Sequence, residues 1–198
     1  MKKIVFATTN ENKVREVNMM MEGFDVELIP MSEMGITVDI EETGTTFEEN
    51  AIIKAKAICE LTGEIALADD SGLEVDYLDG APGVYSSRFL GEDTPYEIKN
   101  DYIIDKLKDA KGNERSARFA CAMAMVFPDG DVETCYGTIE GLIGYEQKGT
   151  NGFGYDPIVY VPEFEMTTGE MAPELKNSIS HRGKALEQMK EVMKRRFK

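Results

Sequence analysis

The chain has 198 residues, 42% of them hydrophobic and 30% charged, which is the composition of a globular protein with room for one ordinary domain or two small lobes. Lys plus Arg number 22 against 37 Asp plus Glu, a formal charge of −15. A surface that negative repels a nucleic-acid backbone or an anionic membrane, although it still admits a small polyanion held in a local basic pocket or through a metal.

Lys3 to Ala7 reads as a buried strand whose apolar run stops at Thr8, too short for the core of a signal peptide. A polar turn, Thr8 to Lys13, leads into a helix expected from about Asn12 to Glu22, and Val26 to Pro30 reads as a second strand. Thr46 and Glu49 have capping-box spacing at the start of the next helix. Ala51, Ile52, Ala55 and Ile58 supply its apolar face. Ile65 to Ala68 is a short apolar strand expected to end in Asp69-Asp70-Ser71-Gly72, Gly80-Ala81-Pro82-Gly83 is turn chemistry, and Tyr96 to Leu107 looks helical.

From Ala117 to Phe127 both alternating faces are apolar or small, the pattern of a central strand covered on both sides. Pro128-Asp129-Gly130 turns the chain into a hairpin partner, Val132 to Ile139, and Ile158 to Val161 is a further short strand. From Arg182 onward Leu186, Met189, Val192, Met193 and Phe197 mark an amphipathic helix with a basic end, which suits the helix macrodipole. The alternation of strands and helices predicts a mixed α/β fold in one domain, residues 1–198. No apolar run approaches the ~18 residues of a membrane helix. Cys59, Cys121 and Cys135 lack metal-site or disulfide spacing and read as buried free thiols, which suits a cytoplasmic protein.

Four segments could carry chemistry. Thr8-Thr9-Asn10-Glu11-Asn12-Lys13 brings hydroxyls, amides and a lysine to a helix start, either as an anion site or as an ordinary capped turn; it is neither a Walker A loop nor a GxGxxG turn. Asp69 and Asp70, with Glu41 and Glu42 in a stretch lacking Lys and Arg from Glu16 to Ile53, form either a solvated acidic surface or hard oxygen ligands for Mg²⁺. Gly152-Phe153-Gly154-Tyr155-Asp156-Pro157 is either a turn into a strand or an aromatic platform for a flat base. Lys176 to Gly183 holds the chain's single histidine, His181, beside Arg182, and no G-x-S-x-G accompanies it to suggest a serine hydrolase.

Taken together, TTNENK, EETGTTFEENA, ALADDSGL, GAPGVYSSR, GFGYDPI and SHRGKAL resemble the inosine-triphosphate pyrophosphatase-like family, hydrolases of non-standard purine nucleoside triphosphates, and they follow the family order along almost the whole chain. The resemblance implies an elongated α/β structure of two lobes, with a central bent mixed sheet flanked by helices and a cleft between the lobes, in a homodimer. It implies Mg²⁺-dependent hydrolysis of ITP, dITP and XTP to monophosphate and pyrophosphate. By motif, Thr8, Thr9, Asn10, Glu11, Asn12 and Lys13 would hold the triphosphate and Ser71 would contact it. Asp70 would be general base and metal ligand, with Glu42 the second metal ligand, an assignment over Glu41 that rests on family register. Phe153, Gly154, Tyr155, Asp156, Lys176, His181 and Arg182 would hold the nucleotide and read its base. A pyrophosphatase for pyrimidine nucleotides is the nearest alternative; a non-catalytic nucleotide sensor would have no need of Glu42 and Asp70.

Overall fold

The computed structural model describes residues 2–198. In chain order its principal elements are β1 (Lys2–Phe6), α1 (Glu11–Met21), β2 (Val26–Pro30), α2 (Phe47–Thr62), β3 (Ala66–Val75), α3 (Tyr96–Lys106), β4 (Ser116–Val126), β5 (Val132–Ile143), β6 (Val159–Val161), β7 (Met166–Thr167), α4 (Pro173–Ile179) and α5 (His181–Arg196). The strands form one open, mixed sheet in the order β2-β1-β3-β4-β5-β6-β7. β1 pairs parallel with both β2 and β3, whereas β6 pairs antiparallel with β5 and β7. Among the described residues no helix is long and apolar enough to cross a membrane.

The chain divides into two compact units. The first comprises the chain up to Asp70, Cys121–Gly137 and His181–Lys198. Its core sets Ile4, Phe6, Leu67, Cys121, Met123 and Met125 against Val17 and Met21 of α1 and Leu186, Met189 and Met193 of α5. Helix α2 starts where the sequence places it. Thr46 Oγ1 accepts the Glu49 N–H at 3.1 Å and Glu49 Oε2 accepts the Thr46 N–H at 3.2 Å, which satisfies donors that the first turn leaves orphaned. Gly137 on β5 is a close-approach glycine. A Cβ there would collide with the His181 carbonyl and lie 2.8 Å from the Ala185 N, so the missing side chain is what lets α5 begin against this strand.

The second unit comprises Ser71–Ala120 and Thr138–Ser180. Leu73, Val75, Phe119, Ile139, Ile143, Ile158 and Val159 pack there against Ile103 of α3 and Leu107 just after it. Arg115, 2% exposed, donates to the carbonyls of Leu107, Ala110, Ile143 and Gly144 at 2.5 to 3.2 Å. One buried guanidinium thereby closes the end of α3 onto the end of β5.

Most sequence boundaries hold to within a residue or two. The strand expected to stop at Ala68 is one exception: β3 runs through Val75, so Asp69, Asp70, Ser71 and Gly72 lie inside the strand and not beyond its end. The apolar count missed this because two carboxylates interrupt the hydrophobic run, while the backbone ladder itself is indifferent to side-chain charge. β5 likewise extends to Ile143, four residues past its expected end.

Candidate active site

Because side chains alternate along a strand, Asp69 and Asp70 leave β3 on opposite faces. Asp69 shares the face of Leu67, which packs in the α1–α5 cluster. Its Oδ2 accepts from Lys13 Nζ at 3.1 Å and from Arg182 Nη2 and Nε at 3.1 and 3.2 Å. Arg182 also donates to Glu16 at 2.6 Å. Asp69 Oδ1 is buried without a hydrogen-bond partner. Burial alone would push the Asp69 carboxyl up, but the charges of Lys13, Arg182 and Lys54 outweigh it and hold the group well below the usual carboxylate range.

Asp70 faces α2, which offers Asn50 and Lys54 one turn apart on one side of the helix. Lys54 Nζ donates to Asp70 Oδ1 at 3.1 Å and to Glu42 Oε1 at 2.6 Å, and Asn50 Nδ2 donates to Asp70 Oδ2 at 3.3 Å. Burial raises the Asp70 carboxyl above its ordinary value against the opposing charges of Lys54 and Lys13, and the Glu42 carboxylate adds to the rise. For Lys54, burial works to lower the ammonium, yet Asp70, Asp69 and Glu42 together raise it.

The turn before α1 is firmly built. Asn10 Oδ1 accepts from the backbone N–H of Asn12 at 3.0 Å and of Lys13 at 3.3 Å, while its own N–H donates to Thr8 Oγ1 at 3.1 Å. Two of the first-turn donors are therefore already capped, and the strongest anion-binding group of this segment is the half-buried Lys13 ammonium. Thr9 and Glu11 are exposed, and Asn12 Oδ1 accepts from Arg15 at 3.4 Å. His181 is the buried first residue of α5.

In the second unit, Gly152 and Gly154 have φ of +73° and +65°, backbone that a glycine adopts without steric cost, and they bracket Phe153. Asp156 closes the loop. Its Oδ2 accepts the Phe153 N–H at 2.8 Å and Lys176 Nζ at 2.6 Å, and its Oδ1 accepts the Thr168 hydroxyl at 2.8 Å. A Cβ at Gly152 would run into that carboxylate. Lys176 Nζ also lies 5.1 Å from the Phe153 ring centroid, within cation–π range. Tyr155 is buried, with its hydroxyl donating to the Ser86 carbonyl at 2.6 Å and its ring set edge-on to Tyr96. Ser71 is half-buried on β3.

Comparison with known proteins places these residues in a family context. The Ham1 family pattern matches residues 4–192. The chain belongs to the Ham1 family. It is 47% identical over 195 residues to the dITP/XTP pyrophosphatase of Desulforamulus reducens, covering 98% of this chain and 97% of that protein. Against the dITP/XTP pyrophosphatase of Bacillus licheniformis the identity is 46%, covering 98% of both. The solved HAM1 protein of Coxiella burnetii superposes with a TM-score of 0.89 at 43% identity, over 98% of this chain and 100% of that one. As a Ham1-family member the chain is an enzyme, a hydrolase of the nucleoside triphosphate pyrophosphatase class.

Within that frame the first unit gathers Lys13, Asp70, Glu42 and Arg182, and the second gathers Phe153, Gly154, Tyr155, Asp156 and Lys176. Three participants were missed from sequence: Lys54, Asn50 and Glu16. The signal for the first two was present, since they sit at i and i+4 in a helix otherwise buried by Ala51, Ala55 and Ile58, but a half-buried lysine on a helix reads as a solvated one. Among the described residues no three His, Cys, Asp or Glu side chains form a metal cage. Mg²⁺ does not require one, being held commonly by one or two carboxylates together with water and substrate phosphate. Glu42 and Asp70 fit that pattern: both already converge on one cation, the Lys54 ammonium, so their oxygens lie where positive charge is stabilised.

Proposed function

We propose that the chain hydrolyses ITP, dITP and XTP to the monophosphate and pyrophosphate in a Mg²⁺-dependent reaction, removing non-standard purine nucleotides from the cytoplasmic pool as a homodimer. The observation that carries this reading is the convergence of Glu42 and Asp70 on a cation, with the Lys13 ammonium on the neighbouring residue Asp69. The two relatives, both dITP/XTP pyrophosphatases, support the substrate class.

Glu42 and Asp70 would hold Mg²⁺. Bound there, the ion would offset phosphate charge and acidify water. Lys13 would bind the triphosphate, its ammonium oriented by the Asp69 carboxylate. Asp70 would accept the proton of the attacking water at a carboxylate oxygen. Lys54 would keep the Glu42 and Asp70 carboxylates together. Phe153 would offer its face to the purine. Hypoxanthine and xanthine carry a 6-keto oxygen where adenine carries an amino group. A donor directed at that oxygen is left unpaired by ATP, a loss worth about 1–3 kcal/mol in a desolvated site.

The test is product analysis with ITP, XTP, GTP and ATP, with and without Mg²⁺. Metal-dependent release of pyrophosphate, strong for ITP and XTP and weak for ATP, is expected. Stepwise orthophosphate release would overturn attack at the α-phosphorus. Asp70→Asn should abolish turnover while the thermal melt stays cooperative, and unchanged turnover would remove Asp70 from the proton-accepting role.

A further inference from the structure

Helix α3 carries a side chain that packing alone does not explain. Asn100 is 1% exposed, one turn from Ile103 and two from Leu107, which fill the core of the second unit. Its Nδ2 donates to the Gly154 carbonyl at 3.2 Å and to Gln147 Oε1 at 3.2 Å. Its Oδ1 is buried and has no hydrogen-bond partner. A buried amide with its acceptor unmatched is a poor choice for filling space, since a leucine of similar volume would carry no such penalty. What the amide supplies is an anchor for the Gly154 carbonyl.

That carbonyl needs one. Gly154 lies in left-handed backbone with Tyr96 3.6 Å from where a Cβ would stand. The residue before it, Phe153, is flanked by two glycines, so its local backbone has little stiffness of its own. Asp156 holds the Phe153 side of the loop through the Phe153 N–H. Asn100 holds the Gly154 side. Tyr96, one turn before Asn100 on α3, adds to the hold: its ring meets Tyr155 edge-on with centroids 5.1 Å apart.

We propose that Asn100 is a positioning residue for base recognition: by fixing the Gly154 carbonyl it sets the direction in which the Phe153 ring is presented. The proposal rests on the reading of Phe153 as the purine platform. Asn100 touches no substrate in this account and acts only through the loop.

The experiment compares wild type, Asn100→Leu, Asn100→Ala and Gln147→Ala in steady-state hydrolysis of ITP, with product inhibition by inosine monophosphate and by pyrophosphate. Loss of the anchoring hydrogen bond should raise KM about tenfold in both Asn100 variants, with kcat within about twofold of wild type. Inhibition by the monophosphate, which carries the base, should weaken by the same factor, and inhibition by pyrophosphate should be unchanged. Gln147→Ala leaves the Gly154 bond in place and should keep a wild-type KM. An unchanged KM, or equal weakening toward both products, overturns the proposal. So does failure of both Asn100 variants to fold, which would make the residue structural only. Absence of ITP hydrolysis in the wild type would instead remove the functional reading itself, a result visible before any variant is read.

Discussion

Lys176 and Asp156 pair with each other, and that pairing makes a measurable claim about what the lysine is for. Both side chains are almost completely buried, 5% and 3% exposed, with Nζ and Oδ2 2.6 Å apart. Removing one partner of a buried pair commonly costs ~3–5 kcal/mol, because the survivor keeps its desolvation penalty. In Lys176→Met the stranded Asp156 carboxylate still accepts the Phe153 N–H and the Thr168 hydroxyl, which places the expected loss at the lower end, about 3 kcal/mol. For a chain of this size that is a fall of roughly 6–12 °C in Tm. Asp156→Asn should cost a similar amount, and the double variant, with no unpaired charge left inside, should be more stable than the sum of the singles by about 1.5–3 kcal/mol. Urea unfolding of the four proteins supplies the cycle. If Lys176→Met lost ITP hydrolysis while unfolding at the wild-type midpoint, the lysine would be a free ligand donor and the buried-pair reasoning would be refuted.

Three further outcomes follow from other parts of the molecule. Lys54→Met removes the cation between Glu42 and Asp70, so the variant should melt lower than wild type and regain more of its Tm on addition of Mg²⁺ than wild type gains; equal metal responses would argue against a shared cation position. Gly137→Ala drives a methyl into the His181 carbonyl and should cost about 1–3 kcal/mol in urea unfolding, with an unchanged midpoint showing that α5 does not need the close approach. The Cys121 thiol is pushed up to about 12, chiefly by burial, and since the thiolate is the reactive species it should ignore a disulfide reagent at pH 8 until the protein is unfolded. Rapid labelling of the folded chain at Cys121 would contradict its placement.

How much of this could be seen in the sequence depends on which interactions are local. The capping box at Thr46 and Glu49, the two-faced apolar strand β4 and the buried thiols were all legible, because each is written in neighbouring residues or in a period of two. The acidic pair at Asp69 and Asp70 was visible as a pair. Its division of labour was not, since that depends on β3 continuing through both residues and sending one carboxylate to each face. The partners Lys54, Arg182 and Glu16 lie 12 to 166 positions from the groups they meet, and no local pattern announces an ion pair across such a distance. Asn100 was missed for a related reason: in an amphipathic helix a buried asparagine looks like one more polar residue until the fold shows which side of the helix is covered.

The same contacts bear on how so acidic a chain could take a polyanion. Lys13 is paired with Asp69, Lys54 with Asp70 and Glu42, Lys176 with Asp156, and Arg182 with Asp69 and Glu16. Each cation proposed to serve the nucleotide thus comes with a carboxylate that keeps it fixed in place. Pre-organisation of this kind reduces the conformational entropy lost on binding, but it also lowers the net positive charge offered to the ligand. A bare triphosphate of about four negative charges would meet lysines whose charge is largely compensated, and it would be repelled by Glu42 and Asp70. On the proposed reading the missing positive charge arrives with the divalent cation, which turns those two carboxylates from a source of repulsion into ligands. Metal dependence would then follow from the charge arrangement of the site as well as from the chemistry of the attacking water.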